Sequence, residues 1–135
     1  MKRVFLDANV LFTAAHNPRG KAAFVLELGQ AGHFHLFTSD FAREEAERNL
    51  AAKCPQCLPD FAKLLRAVTI VSANPSAPFP ERLPQKDAII FQAAVTCRAT
   101  HLLTGDRMHF GALMNRPNKT YSVIVQTTAD FLTKL

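Results

Sequence analysis

The sequence predicts an α/β protein: a three-layer α/β/α arrangement around a central parallel sheet of five strands. Two observations predict it. Five short runs rich in Val, Ile, Leu, Phe and Thr are spread along the chain, and segments with helical apolar spacing fill the intervals between them. Strands alternating with helices pair in parallel and carry helices on both sheet faces. At 135 residues, 48% of them hydrophobic, the chain is read as one domain spanning 1–135 with a core of ordinary size.

The first strand is Lys2-Arg3-Val4-Phe5-Leu6, an apolar run bounded by charge, and Asp7 ends it. The pattern then turns helical, with Val10, Leu11, Ala14 and Ala15 on one face, until Asn17-Pro18-Arg19-Gly20 breaks it. A second helix is expected over residues 21–31, weakened in its last turn by Gly29 and stopped by Gly32. His35-Leu36-Phe37-Thr38 is the second strand. Ser39 or Asp40 caps a helix over about residues 41–52, in which Ala42, Ala46 and Leu50 form one stripe and Phe41, Glu45 and Arg48 the next. Pro55 ends that helix. Leu58 to Arg66 gives another, with Phe61, Leu64 and Leu65 inward, and Val68-Thr69-Ile70-Val71 is a β-branched third strand. Four prolines make residues 72–84 a rigid, irregular connection. The helix from Lys86 is apolar around much of its circumference and is expected to be well buried. Thr100-His101-Leu102-Leu103-Thr104 is the fourth strand, followed by Gly105-Asp106 and a short helix through Phe110 and Leu113. Ser122-Val123-Ile124-Val125 is the fifth strand, and Thr127 or Thr128 caps a closing helix that docks through Phe131 and Leu132.

The net charge is +5 and the pI about 9.5, an excess that suits a polyanionic partner but says nothing about fold. Three cysteines, an odd count, argue against a disulfide framework. Cys54-Pro55-Gln56-Cys57 follows a helix, where a thioredoxin-type motif would follow a strand, and no second pair completes a zinc site, so neither role is expected. Cys97 is assigned to the core. The N-terminus opens on a strand, and no run of 18 apolar residues occurs, so a cytoplasmic protein without signal peptide or membrane span is expected.

Four acids occupy comparable places in this pattern. Asp7 follows the first strand and Asp106 the fourth; Glu45 lies one turn into the helix after the second strand; Asp87 opens the helix leading to the fourth. In parallel sheets the strands' C-terminal ends line the edge where α/β proteins bind ligands. Taken singly, Asp7 reads as a helix N-cap and Glu45 as an exposed partner of Arg43 or Arg48. Carboxylates gathered together raise each other's pKa unless a counter-charge is present. Hard divalent cations supply that charge, and one or two of them activate water and stabilise the leaving oxygen in phosphodiester hydrolysis. Acids that hold metal within a basic chain that holds phosphate suit a nuclease.

At this point the chain resembles the PIN-domain family, of the kind found as toxin ribonucleases in bacterial and archaeal toxin–antitoxin pairs. The resemblance covers nearly the whole length. Val4-Phe5-Leu6-Asp7-Ala8-Asn9-Val10-Leu11 is similar to the family's opening strand and first acid. Thr38-Ser39 followed by Glu45 and Leu50 resembles the segment carrying its Glu; Lys86-Asp87-Ala88-Ile89-Ile90 with Ala93-Ala94 resembles the third acid's helix. Leu102-Leu103-Thr104-Gly105-Asp106 with Phe110 resembles the "TGD" segment, and Val123-Ile124-Val125 with Phe131-Leu132 the closing strand and helix. The motifs are individually short; their order and spacing carry the signal. The resemblance implies an endoribonuclease dependent on Mg²⁺ or Mn²⁺, with Asp7, Glu45, Asp87 and Asp106 as catalytic and metal-binding residues and Asn9 and Thr104 supporting the pocket. It also implies an RNA substrate, a small antitoxin partner and a homodimer.

By chemistry, Asp7 and Asp87 are best placed as direct ligands. Glu45 ligates or orients the attacking water, and Asp106 acts through water. Spacing from Ser39 and to Leu50 favours Glu45 over Glu44. Lys86 and Arg107, each beside a pocket acid, are the foremost phosphate-binding candidates, with Arg19, Lys21, Arg43 and Arg48 behind them. His109 is considered for acid–base work but assigned to the surface or a helix cap; His16, His33, His35 and His101 receive no role. Two alternatives remain open. One is a catalytically silent PIN-like module that binds RNA or a protein. The other is a haloacid-dehalogenase-type phosphatase, whose D-x-D pattern has Asn9 at its third position here.

Overall fold

The computed structural model describes residues 1–135. Five strands, β1 (Arg3–Leu6), β2 (His35–Ser39), β3 (Val68–Val71), β4 (His101–Leu103) and β5 (Ile124–Gln126), form one sheet in the order β3-β2-β1-β4-β5, every pair parallel. The expected five-stranded parallel sheet is thus observed. Seven α-helices cover it: α1 (Ala8–His16), α2 (Lys21–Gln30), α3 (Asp40–Lys53), α4 (Leu58–Leu64), α5 (Gln85–Thr96), α6 (Arg107–Phe110) and α7 (Thr128–Thr133). The chain winds outward from β1 to β3, then returns to the other side of β1 for β4 and β5. The order reverses between β1 and β4, which opens a crevice at their C-terminal ends.

Val4, Phe5 and Leu6 of β1 have no exposed surface, because β1 is paired on both sides and covered on both faces. Helix α1 buries Val10, Leu11, Ala14 and Ala15, the expected face, and α3 buries Ala42, Ala46 and Leu50. Helix α5 buries Ala88, Ile90, Phe91, Gln92, Ala93 and Ala94, in keeping with its apolar circumference. Ser39 caps α3 by accepting from Ala42 N–H (3.0 Å), and Thr127 caps α7 by accepting from Asp130 N–H (3.1 Å). No helix is long and apolar enough to cross a membrane.

Two local readings change. Cys54 and Cys57 are joined by a disulfide. Pro55–Cys57 forms a 3₁₀ turn, in which positions three apart eclipse, so the two sulfurs meet at the end of α3. Gly32 does stop α2, at φ +91°. Gly29, however, serves a packing role: a Cβ there would lie 2.4 Å from Leu36 Cδ1 and 2.4 Å from its Cγ, so α2 can lie this close to β2 only at a residue without a side chain.

Gly29→Ala tests that contact. Alanine in a helix normally gains up to about 1 kcal/mol over glycine, but overpacking Leu36 is expected to turn this into a loss of about 1–3 kcal/mol. Thermal denaturation reads the sign, and an unchanged or raised Tm would show that the α2–β2 approach has slack.

Candidate active site

The four acids meet in one small pocket at the C-terminal edge of the sheet. Asp7, Glu45, Asp87 and Asp106 all line it, together with Lys86 and His109. Each arrives on a different element. Asp7 is the residue after β1 and keeps its backbone in the sheet, its N–H donating to Leu103 O (3.0 Å). Asp106 caps α6 after β4, accepting from His109 N–H (3.0 Å). Asp87 is in the first turn of α5. Glu45 lies on α3 beside its buried stripe, and its side chain is 18% exposed, whereas that of Glu44 is 58% exposed.

Asp7 is a helix cap as well as a pocket acid. Its Oδ1 accepts from Ala8 N–H (2.6 Å), and its Oδ2 accepts from the Thr104 hydroxyl (2.7 Å) and the Asn9 amide (3.3 Å). Asn9 Oδ1 in turn accepts from Gly105 N–H (2.7 Å), and Thr104 Oγ1 accepts from Asp106 N–H (3.1 Å). Asn9 and Thr104 therefore tie the segment after β1 to the segment after β4. Burial nevertheless dominates at Asp7: despite two of these bonds lowering its pKa, desolvation and the nearby charges of Glu45 and Asp87 raise it from 3.8 to about 6. Asp87 is also raised, first by burial and then by repulsion from Asp106.

Two cations of the chain answer these charges. Lys86 Nζ lies 2.9 Å from Glu45 Oε2, and this hydrogen bond raises the lysine's pKa. His109 Nδ1 lies 2.7 Å from Asp106 Oδ2 and 3.3 Å from Asp87 Oδ2. The bond to Asp106 raises the imidazole's pKa; burial would raise that of Asp106, but its hydrogen bonds from His109 keep it below the usual carboxylate range. His109, which the sequence left at the surface, is thus part of the pocket. The available signal was its i+3 spacing from Asp106 on a short helix. Arg107, beside Asp106 in sequence, does not line the acidic pocket.

The donor set fits a hard divalent cation. The buried Glu45 Oε1 has no hydrogen-bond partner, an orphaned acceptor that a cation would satisfy. Ligand atoms of Asp87, Asp106 and His109 lie within 4.8 Å of one another. Carboxylate oxygens dominate the pocket, the chemistry that Mg²⁺ and Mn²⁺ prefer.

The sequence pattern of the PIN domain matches residues 3–108. The chain belongs to the PIN-domain family. Two solved structures share the fold of this PIN domain. A chain of VapBC2 from Rickettsia felis, solved bound to a DNA fragment from its promoter, superposes with a TM-score of 0.66 at 15% identity, covering 93% of this chain and 98% of that one. A chain of VapBC-1 from nontypeable Haemophilus influenzae superposes with a TM-score of 0.60 at 13% identity, covering 94% and 98%. At these identities the likeness is one of fold. No curated protein matches the sequence significantly. The phosphatase alternative loses its ground within this family: the place of its second acid is taken by Asn9, which is spent on Asp7, Thr104 and Gly105.

The pocket makes stability fall with pH in the absence of metal. Asp7 is protonated up to about pH 6 in the folded chain and only to about 3.8 in the unfolded one. Its favourable contribution is complete below pH 3.8 and is lost as pH rises through 6, a swing on the order of 3 kcal/mol. The raised pKa values of Asp87 and His109 act in the same direction. In EDTA, Tm is expected to drop between pH 4.5 and 7.5, and Asp7→Asn to flatten that slope. Mn²⁺ is expected to raise Tm more at pH 7.5 than at pH 5, since it binds the ionised acids. A metal shift equal at both pH values would contradict this reading of the pocket.

Proposed function

We propose that this PIN domain, spanning 1–135, is a metal-dependent endoribonuclease and the toxin of a toxin–antitoxin pair. The observation that carries the reading is the convergence of four carboxylates from four separate elements, one of them with an orphaned buried oxygen. Asp7, Asp87 and Asp106 would hold Mg²⁺ or Mn²⁺, with Glu45 as a further ligand or as the group that orients the attacking water. Held there, such an ion would supply charge that lowers the pKa of water and stabilises a leaving oxygen. The chain's own residues supply position. Thr104, Asn9 and Ala8 N–H hold the Asp7 carboxylate in one orientation. His109 fixes Asp106. Lys86 holds Glu45 and, when the carboxylate takes up another partner, carries a positive charge available to a phosphate oxygen. The net charge of +5 favours a polyanionic substrate. The homodimer and the antitoxin partner belong to this proposal too; the two structures that share the fold are those of VapBC2 and VapBC-1. Cytoplasmic location belongs to it as well.

The test is cleavage of a mixed RNA pool by wild type and Asp87→Asn, with EDTA, Mg²⁺ or Mn²⁺. Cleavage should require metal and fall at least about 100-fold in the variant, the scale on which removing a preorganised charge acts. Equal cleavage by both proteins would refute the assignment, and RNA binding without turnover in any metal would favour a silent binding module.

The toxin reading has its own outcome. Induced expression should arrest growth, Asp87→Asn should not, and co-expression of the adjacent gene's product should relieve the arrest. Harmless expression of a protein shown to cleave RNA would remove the toxin assignment and keep the enzyme.

A further inference from the structure

The acidic pocket encloses about 120 Å³, enough for ions and a phosphate group but not for a nucleotide. A strand whose phosphate enters it must place the adjoining sugar and base elsewhere. A groove of about 760 Å³ between α3 and α4 shares no residue with the acidic pocket. A second cavity does adjoin it. This one encloses about 400 Å³ and shares Asn9 and Asp106 with the acidic pocket, a volume within the range of small-ligand sites.

Four threonines are among the nine residues that line this cavity. They are Thr13, Thr104, Thr127 and Thr128, and Val10, Ala22 and Gly105 line it too. Their hydrogen-bonding capacity differs. Thr104 is fully engaged, donating to Asp7 and accepting from Asn9 and Asp106 N–H. Thr13 donates to Asn9 O (2.8 Å) and keeps its acceptor lone pairs. Thr127 accepts from Asp130 N–H and keeps its O–H to donate. Thr128 makes no side-chain hydrogen bond within the chain. A free acceptor, a free donor and one unpaired hydroxyl therefore line a cavity that shares its one acid, Asp106, with the acidic pocket. Ala22, in the first turn of α2, also lines this cavity. That ten-residue helix has Gly20 as its N-cap and no side chain capping it, and Lys21 precedes Ala22. Uncapped first-turn N–H groups with a lysine beside them favour an anion.

We infer that the threonine-lined cavity binds the nucleotide adjoining the scissile phosphate, with its ribose on Thr13 and Thr128 and its outer phosphate toward the start of α2. The inference rests on the ribonuclease reading and adds to it a site that distinguishes RNA from DNA. A 2′-hydroxyl both donates and accepts, matching the free capacity of these threonines, whereas a deoxyribose leaves them unpaired once water is displaced. The shared walls, Asn9 and Asp106, set the sugar beside the acids that act on its phosphate.

The test measures binding by fluorescence anisotropy, using a labelled single-stranded RNA octamer and the DNA of the same sequence, in Mg²⁺. Asp87→Asn serves as the parent, so that the strand is not cut. Thr13→Val and Thr128→Val are added singly and together; both preserve shape, and thermal melting checks the fold of each. The double variant should lose about tenfold in RNA affinity, the scale of two ordinary hydrogen bonds, and less than about twofold on DNA. Lys21→Ala should weaken both strands alike, since it addresses phosphate. RNA affinity unchanged by both threonine substitutions would overturn the inference, as would equal RNA and DNA affinity in the parent. Wild-type cleavage of RNA, measured alongside, separates the outcomes: cleavage with no threonine effect removes the subsite alone, and no cleavage removes the nuclease reading beneath it.

Discussion

A buried carboxylate at the end of the central strand is the constraint on which the rest of the structure depends. Strand β1 is paired on both sides and covered on both faces, so the residue that follows it is 5% exposed. Asp7 receives three hydrogen bonds there, and burial still outweighs them, leaving its pKa near 6. An alanine would fold more comfortably at this place, except that α1 would lose its cap. An acid so perturbed in a crevice is a functional-site candidate, and the hydrogen bonds from Thr104 and Ala8 N–H offset part of the cost of burying Asp7 here.

The counter-charges are distributed unevenly. Lys86 answers Glu45, and His109 answers Asp106 and Asp87, but no cationic side chain forms an ion pair with Asp7. The chain thus neutralises the rim of its acidic pocket and leaves the innermost acid to repulsion and desolvation. On the proposed function, that innermost position is where an external cation relieves the most unfavourable charge. Lys86 and His109 keep the outer acids ordered in its absence.

Topology supplies the remainder. Because strand order reverses between β1 and β4, the segments after these strands diverge from a common edge, and a crevice opens between them. Asn9 and Thr104 bridge it from opposite sides. Asn9 of this bridge lines the acidic pocket, and Asn9 and Thr104 together line the adjoining cavity with Thr13, Thr127 and Thr128. Acidic and hydroxyl-bearing surfaces are therefore set against one another by residues that also hold the sheet edge together.

The strands, helices and four acids were legible in the sequence because each depends on local pattern: period-two or helical apolar spacing, a cap, an acid at an element's end. The choice of Glu45 over Glu44 followed from spacing, and the structure turns Glu45 inward and Glu44 outward. Other features depended on meetings the linear pattern does not encode. His109 joins the pocket because one turn of α6 places its Nδ1 between Asp106 and an Asp87 held on another helix. Lys86, read as a phosphate contact, meets Glu45 across the crevice. Gly29, read as a weak helix position, is needed where α2 presses on Leu36. The cysteine pair closes because a 3₁₀ turn eclipses its ends. By itself, then, the sequence determined which elements form and which acids end beside them. Only the tertiary structure decided which cation faces which acid and which hydroxyls share a cavity. Side-chain partners across a crevice are chosen by the relative placement of packed elements, and that placement depends on the whole core at once.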